Sequence, residues 1–441
     1  MTFRRSSRFS LLAASTMIIG ASLVSAAQVN QTPPSTQQRL TLQGAEQLAL
    51  QNNPNVSVSK LLALAQGQVT RQVRSNELPN VTGYLTAVDS HEGSRITAGG
   101  LNNPIIFERA AVGITASQLI TDFGRSRNLV ASAQLRAKAS EFAQKATVAD
   151  VLLAVDQAFY EALQSQSLLQ VAQETVRQRQ VTVDQVQALT NAKLKSDLDL
   201  SFAKVNLSQA NLLLLDAENR KDAAFASLNT ILGYEKQLSY LLVDETGGMP
   251  TPPPTNKDEL LAKAFQSRPD LAEVEEQWES AERFRRAEHD LFRPSISALA
   301  AVGDTPIRAD QLSPWYGAVG VNLSFPIFNG FQYSARAKEA DYRAAALKEQ
   351  VRDIRDRIAR DVQVTWMTTN SAYQRVGVTA QLLQQANLAL DLARTRYKLG
   401  LSSIVELSQA QLQQTEAAIG NANARYSYQQ ALAALSYQTG R

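Results

Sequence analysis

The sequence predicts a mainly α-helical fold with a small β part: two copies of a long helical hairpin, each accompanied by two β-strands. Three observations carry that prediction. Residues 125–232 contain neither glycine nor proline, where average composition would place about a dozen of the two. What remains is an Ala-, Gln- and Leu-rich segment without the usual punctuation of turns, and such a segment is helical. Four short segments switch to a period of two, the pattern of strands. The whole programme then recurs further along the chain, so the fold is a duplication.

Taken in order, Arg4, Arg5 and Arg8 precede an apolar run over 9–24 and the small residues Ser25-Ala26-Ala27. This is the layout of a secretory signal peptide, residues 1–27, and the run is short for a membrane span. Residues 28–39, with Pro33-Pro34, read as a flexible leader. Leu40-Thr41-Leu42-Gln43 leads into a short helix with Thr41 as its cap, ending near Asn52-Asn53-Pro54. A second helix runs to about Glu77 and stops at Leu78-Pro79. Strands are predicted over 80–89 and 110–118, around a loop with Gly93, Gly99, Gly100 and Pro104. The helical hairpin 125–232 follows. Val148, Leu152, Val155, Phe159 and Ala162 are spaced 4-3-4-3, which lines up one apolar seam. The polar stretch 191–197 reads as the tip where the chain reverses, with Ser196 as cap of the return helix. The first arm, residues 125–189, would be about 98 Å long at 1.5 Å per residue.

A Pro-rich linker, 244–257, separates the first repeat (40–243) from the second (258–441). Asn53-Pro54 is echoed by Arg268-Pro269 and Leu78-Pro79 by Arg293-Pro294, both at an offset of 215. From Gly113 and Gly320 onward the offset is 207, as in Ser117/Ser324, Val155/Val362, Leu200/Leu407 and Gly233/Gly440. The second repeat thus has strands over 295–303 and 315–325 and a hairpin over 331–438. Its own seam runs through Leu347, Val351, Ile354, Ile358 and Val362.

Composition narrows the chemistry. Lys and Arg (44) nearly balance Asp and Glu (41), so no nucleic-acid surface is implied. With no cysteine there is no disulfide and no thiolate metal site, and two histidines leave little for a histidine-based one. No phosphate loop or nucleophile elbow is present. Neither an enzyme nor a cofactor is expected. The strands place Val81 and Leu85, Val112 and Ile114, Ile296 and Ala298, and Val319, Val321 and Leu323 on one side, with polar or small residues between. That alternation suits a half-buried soluble sheet and equally a barrel wall with lipid outside and a lumen inside. Four strands cannot close a membrane barrel, which takes about eight or more, and lipid tolerates no open edge. In a membrane, several chains would have to share one barrel.

Three stretches stand out beside the duplication: Phe325-Pro326-Ile327-Phe328-Asn329-Gly330, then Arg396-Tyr397-Lys398-Leu399-Gly400 followed by Ile404-Val405-Glu406-Leu407, and Asn423-Ala424-Arg425-Tyr426-Ser427-Tyr428. In this order, with the duplication, they give the chain a resemblance to the TolC-like outer-membrane efflux proteins. The resemblance covers nearly the whole mature chain. It implies a homotrimer with one shared transmembrane β-barrel in outer-membrane lipid and a tunnel of helices across the periplasm. Such a channel is the passive exit duct of a tripartite efflux or type I secretion system, docked to a periplasmic adaptor protein and an inner-membrane transporter. It further implies that Glu406 lies at the pore entrance, with Gln409 where the family has a second acid. Tyr397 and Asp199 match a tip latch whose arginine position holds Ser402. Tyr397, Leu399, Gly400 and Leu401 would form part of the docking tip, and Lys193 stands in the first tip where the second has Gly400. The competing reading is a soluble periplasmic coiled-coil adaptor or scaffold, which explains the rods but not the strands.

Overall fold

The computed structural model of the protein describes residues 38–89, 109–235, 238, 240–245, 250–308 and 313–441. The signal peptide and most of the leader lie outside the described residues, as do the loop over 90–108 and Gly247-Gly248 of the linker.

The first repeat opens with β1 (Gln38–Leu40), α1 (Leu42–Asn52) and α2 (Pro54–Ser75). Thr41 caps α1, its hydroxyl accepting from Gly44 N at 3.2 Å. Asn53 joins two elements. Its Oδ1 caps α2 by accepting from Asn55 N at 2.9 Å, while its Nδ2 donates to Ile231 O at 2.8 Å, the far end of the hairpin. Next come β2 (Asn80–Val88), β3 (Arg109–Thr121), α3 (Arg125–Asn191), α4 (Asp197–Ile231) and β4 (Tyr240–Leu242). The second repeat supplies α5 (Lys257–Ser267), α6 (Pro269–His289), a 3-10 turn (Asp290–Phe292), β5 (Ser295–Ile307), β6 (Trp315–Ser324), α7 (Gln332–Lys398) and α8 (Ile404–Gln438). In the hairpins the duplication is carried into three dimensions residue for residue. α3 and α7 each have 67 residues, α4 and α8 each have 35, and all four boundaries keep the offset of 207. At 1.5 Å per residue the long arms reach about 100 Å.

The hairpins hold together by heptads. Ala203, Ala210, Ala217 and Ala224 are buried at seven-residue spacing on α4, and Ala410, Ala417 and Ala424 repeat this on α8. On α7 the seven-residue series includes Val362, Thr369, Val376, Leu390 and Tyr397, all buried. A strict heptad keeps one seam facing the partner and supercoils the pair left-handedly, and alanine lets the backbones approach closely.

At the base of the first hairpin Leu40, Ala45, Val155, Phe159, Leu228 and Tyr240 form the largest apolar cluster. Fully burying a side chain such as Phe159 stabilises by about 1.5–3 kcal/mol. A smaller equivalent joins Ala264, Leu271, Ile358 and Val362 in the second repeat. Two features differ from the sequence expectation here. Residues 38–40, which include the end of the expected leader, form β1, and β1 pairs in parallel with β4. Leu40, Tyr240 and Leu242 are buried and close the base cluster, so burial orders a stretch whose composition alone reads as loop.

Beside this base, Arg441 bridges to Asp156 at 2.6 Å and also to Glu46. Burial pushes the Asp156 carboxyl up to about 6 against the pull of Arg441, and the nearby Glu46 adds to the rise.

The four long strands form one antiparallel sheet in the order β2-β3-β5-β6, so β2 and β6 are its edges. The apolar side chains Leu85, Val112, Ile114, Val302, Val319, Val321 and Leu323 are exposed on it, and no helix among the described residues covers them. β3 and β5 run beyond the expected 110–118 and 295–303, with register shifts at Ala110/Val112 and Leu119/Thr121. There the alternation that marks a strand in the sequence breaks.

Candidate functional site

The far ends of the two hairpins are built alike. α3 ends in a left-handed residue, Lys193 at φ 59°, and Leu194 N donates back to Leu189 O at 2.9 Å. α7 ends at Gly400, φ 75°, and Leu401 N donates back to Arg396 O at 2.8 Å. These six-to-one closures satisfy carbonyls that a helix end otherwise leaves open. Ser196 then caps α4 and Ser403 caps α8, accepting from Asp199 N at 3.2 Å and Glu406 N at 3.3 Å. Asp199 and Glu406 are therefore equivalent residues, each third in its return helix.

Neither acid stands bare. Asp199 completes a capping box by accepting from Ser196 N at 3.3 Å. Glu406 pairs with Arg396 at 3.0 Å, both partly exposed. Gln409 is exposed one turn further along. The tips carry Leu194, Leu198, Leu399, Leu401 and Val405 well exposed, with Leu399 at 67% and Leu194 at 69%.

Tyr397 is 5% exposed and occupies a heptad position in a cluster with Val183, Val186, Leu390, Ile404 and Leu407. Its ring is covered by Lys195 Nζ at 4.5 Å from the centroid. Among the described residues its hydroxyl has no hydrogen-bond partner, and neither has the buried hydroxyl of Ser402. Burial and then the charge of Asp199 push the Tyr397 hydroxyl above its usual pKa. Asp199 and Tyr397 are thus neighbours, but no hydrogen bond joins them; the aspartate is engaged in its own helix cap.

What ties one hairpin to the other lies just behind the tips. Arg394 donates to Gln178 at 2.6 Å, Gln411 to Thr182 at 3.1 Å and Asn206 to Ser408 at 2.7 Å. Arg179, 7% exposed, reaches Thr415 at 3.5 Å, and burial with Arg394 nearby lowers its pKa to about 10. Sequence reasoning missed Arg394, Arg396, Gln178 and Lys195. Arg396 lay inside the stretch that carried the resemblance, but its pairing runs across the tip and needs the geometry.

The described residues hold no cluster of metal-ligating side chains and no helix long and apolar enough to cross a membrane. A sequence model of the family described as outer membrane efflux protein matches residues 45–234 and 260–441. The chain belongs to the outer membrane efflux protein family. Its location is accordingly the outer membrane, with a long periplasmic extension. Outer membrane protein TolC of Escherichia coli is 23% identical over 417 residues, spanning 89% of this chain and 81% of TolC. Outer membrane efflux protein BepC of Brucella suis is 22% identical over 443 residues, spanning 98% and 90%. Among solved structures, CusC superposes with a TM-score of 0.79 at 20% identity, covering 90% of this chain and 92% of CusC. The mainly helical fold of duplicated hairpins with a small sheet is thus that of outer-membrane efflux channels, and family membership favours a channel over a soluble adaptor.

Proposed function

We propose that the protein is the outer-membrane exit duct of a tripartite efflux or secretion system, a passive conduit made of three copies. The observation that carries this is the sheet: four antiparallel strands with two open edges and an uncovered apolar face, mounted on rods of about 100 Å. In lipid an open edge leaves backbone groups unsatisfied at a cost of several kcal/mol each, so β6 of one copy pairs with β2 of the next. Three copies give twelve strands, and the number three rests on the resemblance to the family. The four long helices of each copy continue the barrel as a tunnel through the periplasm.

The tips close the tunnel and offer their exposed leucines to a periplasmic adaptor, which connects to an inner-membrane transporter. Closure here rests on the packing of Tyr397 and on the Arg394–Gln178 and Gln411–Thr182 bonds between hairpins. Glu406, once per copy, becomes a ring of three acids that favours cations, softened by Arg396 at 3.0 Å. Chemical crosslinking in isolated outer membranes tests the assembly. A ladder ending at three chains supports it, and chains that stay single at saturating crosslinker overturn it.

A further inference from the structure

One row of the sheet stands apart from its neighbours. Tyr84, Gly113, Gly303 and Tyr316 lie side by side in register across β2, β3, β5 and β6. Tyr316 shares its face with Ala318, Gly320 and Asn322, while Trp315, Val319 and Val321 point the other way. In a barrel the apolar side meets lipid, so Tyr316 and both glycines face the lumen.

The Tyr316 side chain does not project from the wall. A Cβ placed on Gly113 or on Gly303 would collide with its phenol oxygen, and the Gly303 Cβ with the ring carbon bearing it. At Gly303 the added carbon would also run into the Val112 carbonyl of the next strand, whereas at Gly113 the nearest backbone atom, Val302 O, is 3.0 Å away, so the phenol is the main obstacle there. The ring therefore lies across the strands, over the bare backbone of two adjacent glycines. Strands are about 4.8 Å apart, so two glycines in register clear a strip wide enough for a phenol. Tyr316 is still 41% exposed, which leaves one side of the ring open.

We infer that the shelf of Gly113 and Gly303, by letting Tyr316 lie flat on the wall, keeps the barrel lumen from narrowing at this level. The inference rests on the duct reading above. A side chain at either glycine lifts the ring off the wall, and in a three-copy barrel this happens three times at one level. The glycines keep the passage wide at the level of a bulky aromatic residue.

Sizing the outer vestibule with neutral polymers tests this, since polymers added on the outer side probe the barrel independently of the tips. Gly113→Ala should shift the exclusion limit to smaller polymers, Tyr316→Ala should not, and Gly113→Ala with Tyr316→Ala together should restore the wide limit. An unchanged limit in Gly113→Ala, or narrowing that persists without the tyrosine, overturns the inference. Should Gly113→Ala fail to assemble, single cysteines decide, because the chain has none of its own. A charged, water-soluble thiol reagent should modify Tyr316→Cys and leave Val319→Cys untouched; the reverse pattern overturns the assignment of faces. Absence of any channel in the wild-type protein counts against the duct reading itself.

Discussion

In the proposed duct, Tyr397 separates two ways of holding the tunnel shut. In one, its hydroxyl bonds to Asp199 as a latch. In the other, the one proposed above, the ring is a knob in a packed cluster and the hydroxyl contributes nothing. The side chain is 5% exposed among Val183, Val186, Leu390, Ile404 and Leu407, and its oxygen is buried with no partner among the described residues. Truncating a buried aromatic to alanine costs about 3–5 kcal/mol, whereas removing a buried, unpaired hydroxyl relieves about 1–3 kcal/mol. Tyr397→Ala should therefore loosen the tips, and Tyr397→Phe should leave them as tightly closed or tighter. A loss of about 3 kcal/mol shifts a closed-to-open ratio by roughly a hundredfold. Single-channel recording in planar bilayers reads this as open probability. Long open dwell times for the alanine variant and wild-type closure for phenylalanine fit the packing argument. Equal opening in both variants would refute it and return the closure to the hydroxyl.

Three further outcomes are expected. Gly400→Lys should assemble normally, since Lys193 holds the same left-handed position in the first tip and open space surrounds Gly400, at a strain of about 1–2 kcal/mol; export should fall because the docking tip is altered, and loss of the crosslinked trimer would contradict this. Glu406→Gln should move reversal potentials in a salt gradient toward zero, and Arg396→Gln should strengthen cation preference by unmasking the acid; no change in either variant would return Glu406 to a plain solvated surface. For Asp156 the folded carboxyl titrates at about 6, above its unfolded value of 3.8. Folding then favours the protonated form, and that stabilisation is complete below pH 3.8 and lost as pH rises through 6. The thermal midpoint of Asp156→Asn relative to wild type should climb between pH 4 and 7; a flat difference would show that the site does not titrate there.

The long helices were legible because their evidence is local: no glycine or proline over 125–232, and apolar residues at heptad spacing. The short parallel pair of β1 and β4 was not, since three residues at each of two places 202 apart carry no period, and only the shared base cluster orders them. The strand ends were misjudged where bulges break alternation, at Leu119/Thr121. At the tips, Tyr397, Gly400 and Glu406 entered through the resemblance. Their partners did not, because Arg396 meets Glu406 across a turn and Arg394 meets Gln178 between hairpins. Ser196 was legible as the cap of the return helix, but the reciprocal bond that engages Asp199 in the same cap, and so competes with a latch to Tyr397, came only from the geometry.

The most direct test is electron cryo-microscopy of the protein extracted from outer membranes in mild detergent. Three-fold symmetric particles with a twelve-stranded barrel, β6 of each copy hydrogen-bonded to β2 of the next, and a continuous helical tunnel beneath are the expected result. Single chains whose β2 and β6 edges stay open, or a four-stranded sheet packed against a helical partner, would contradict it.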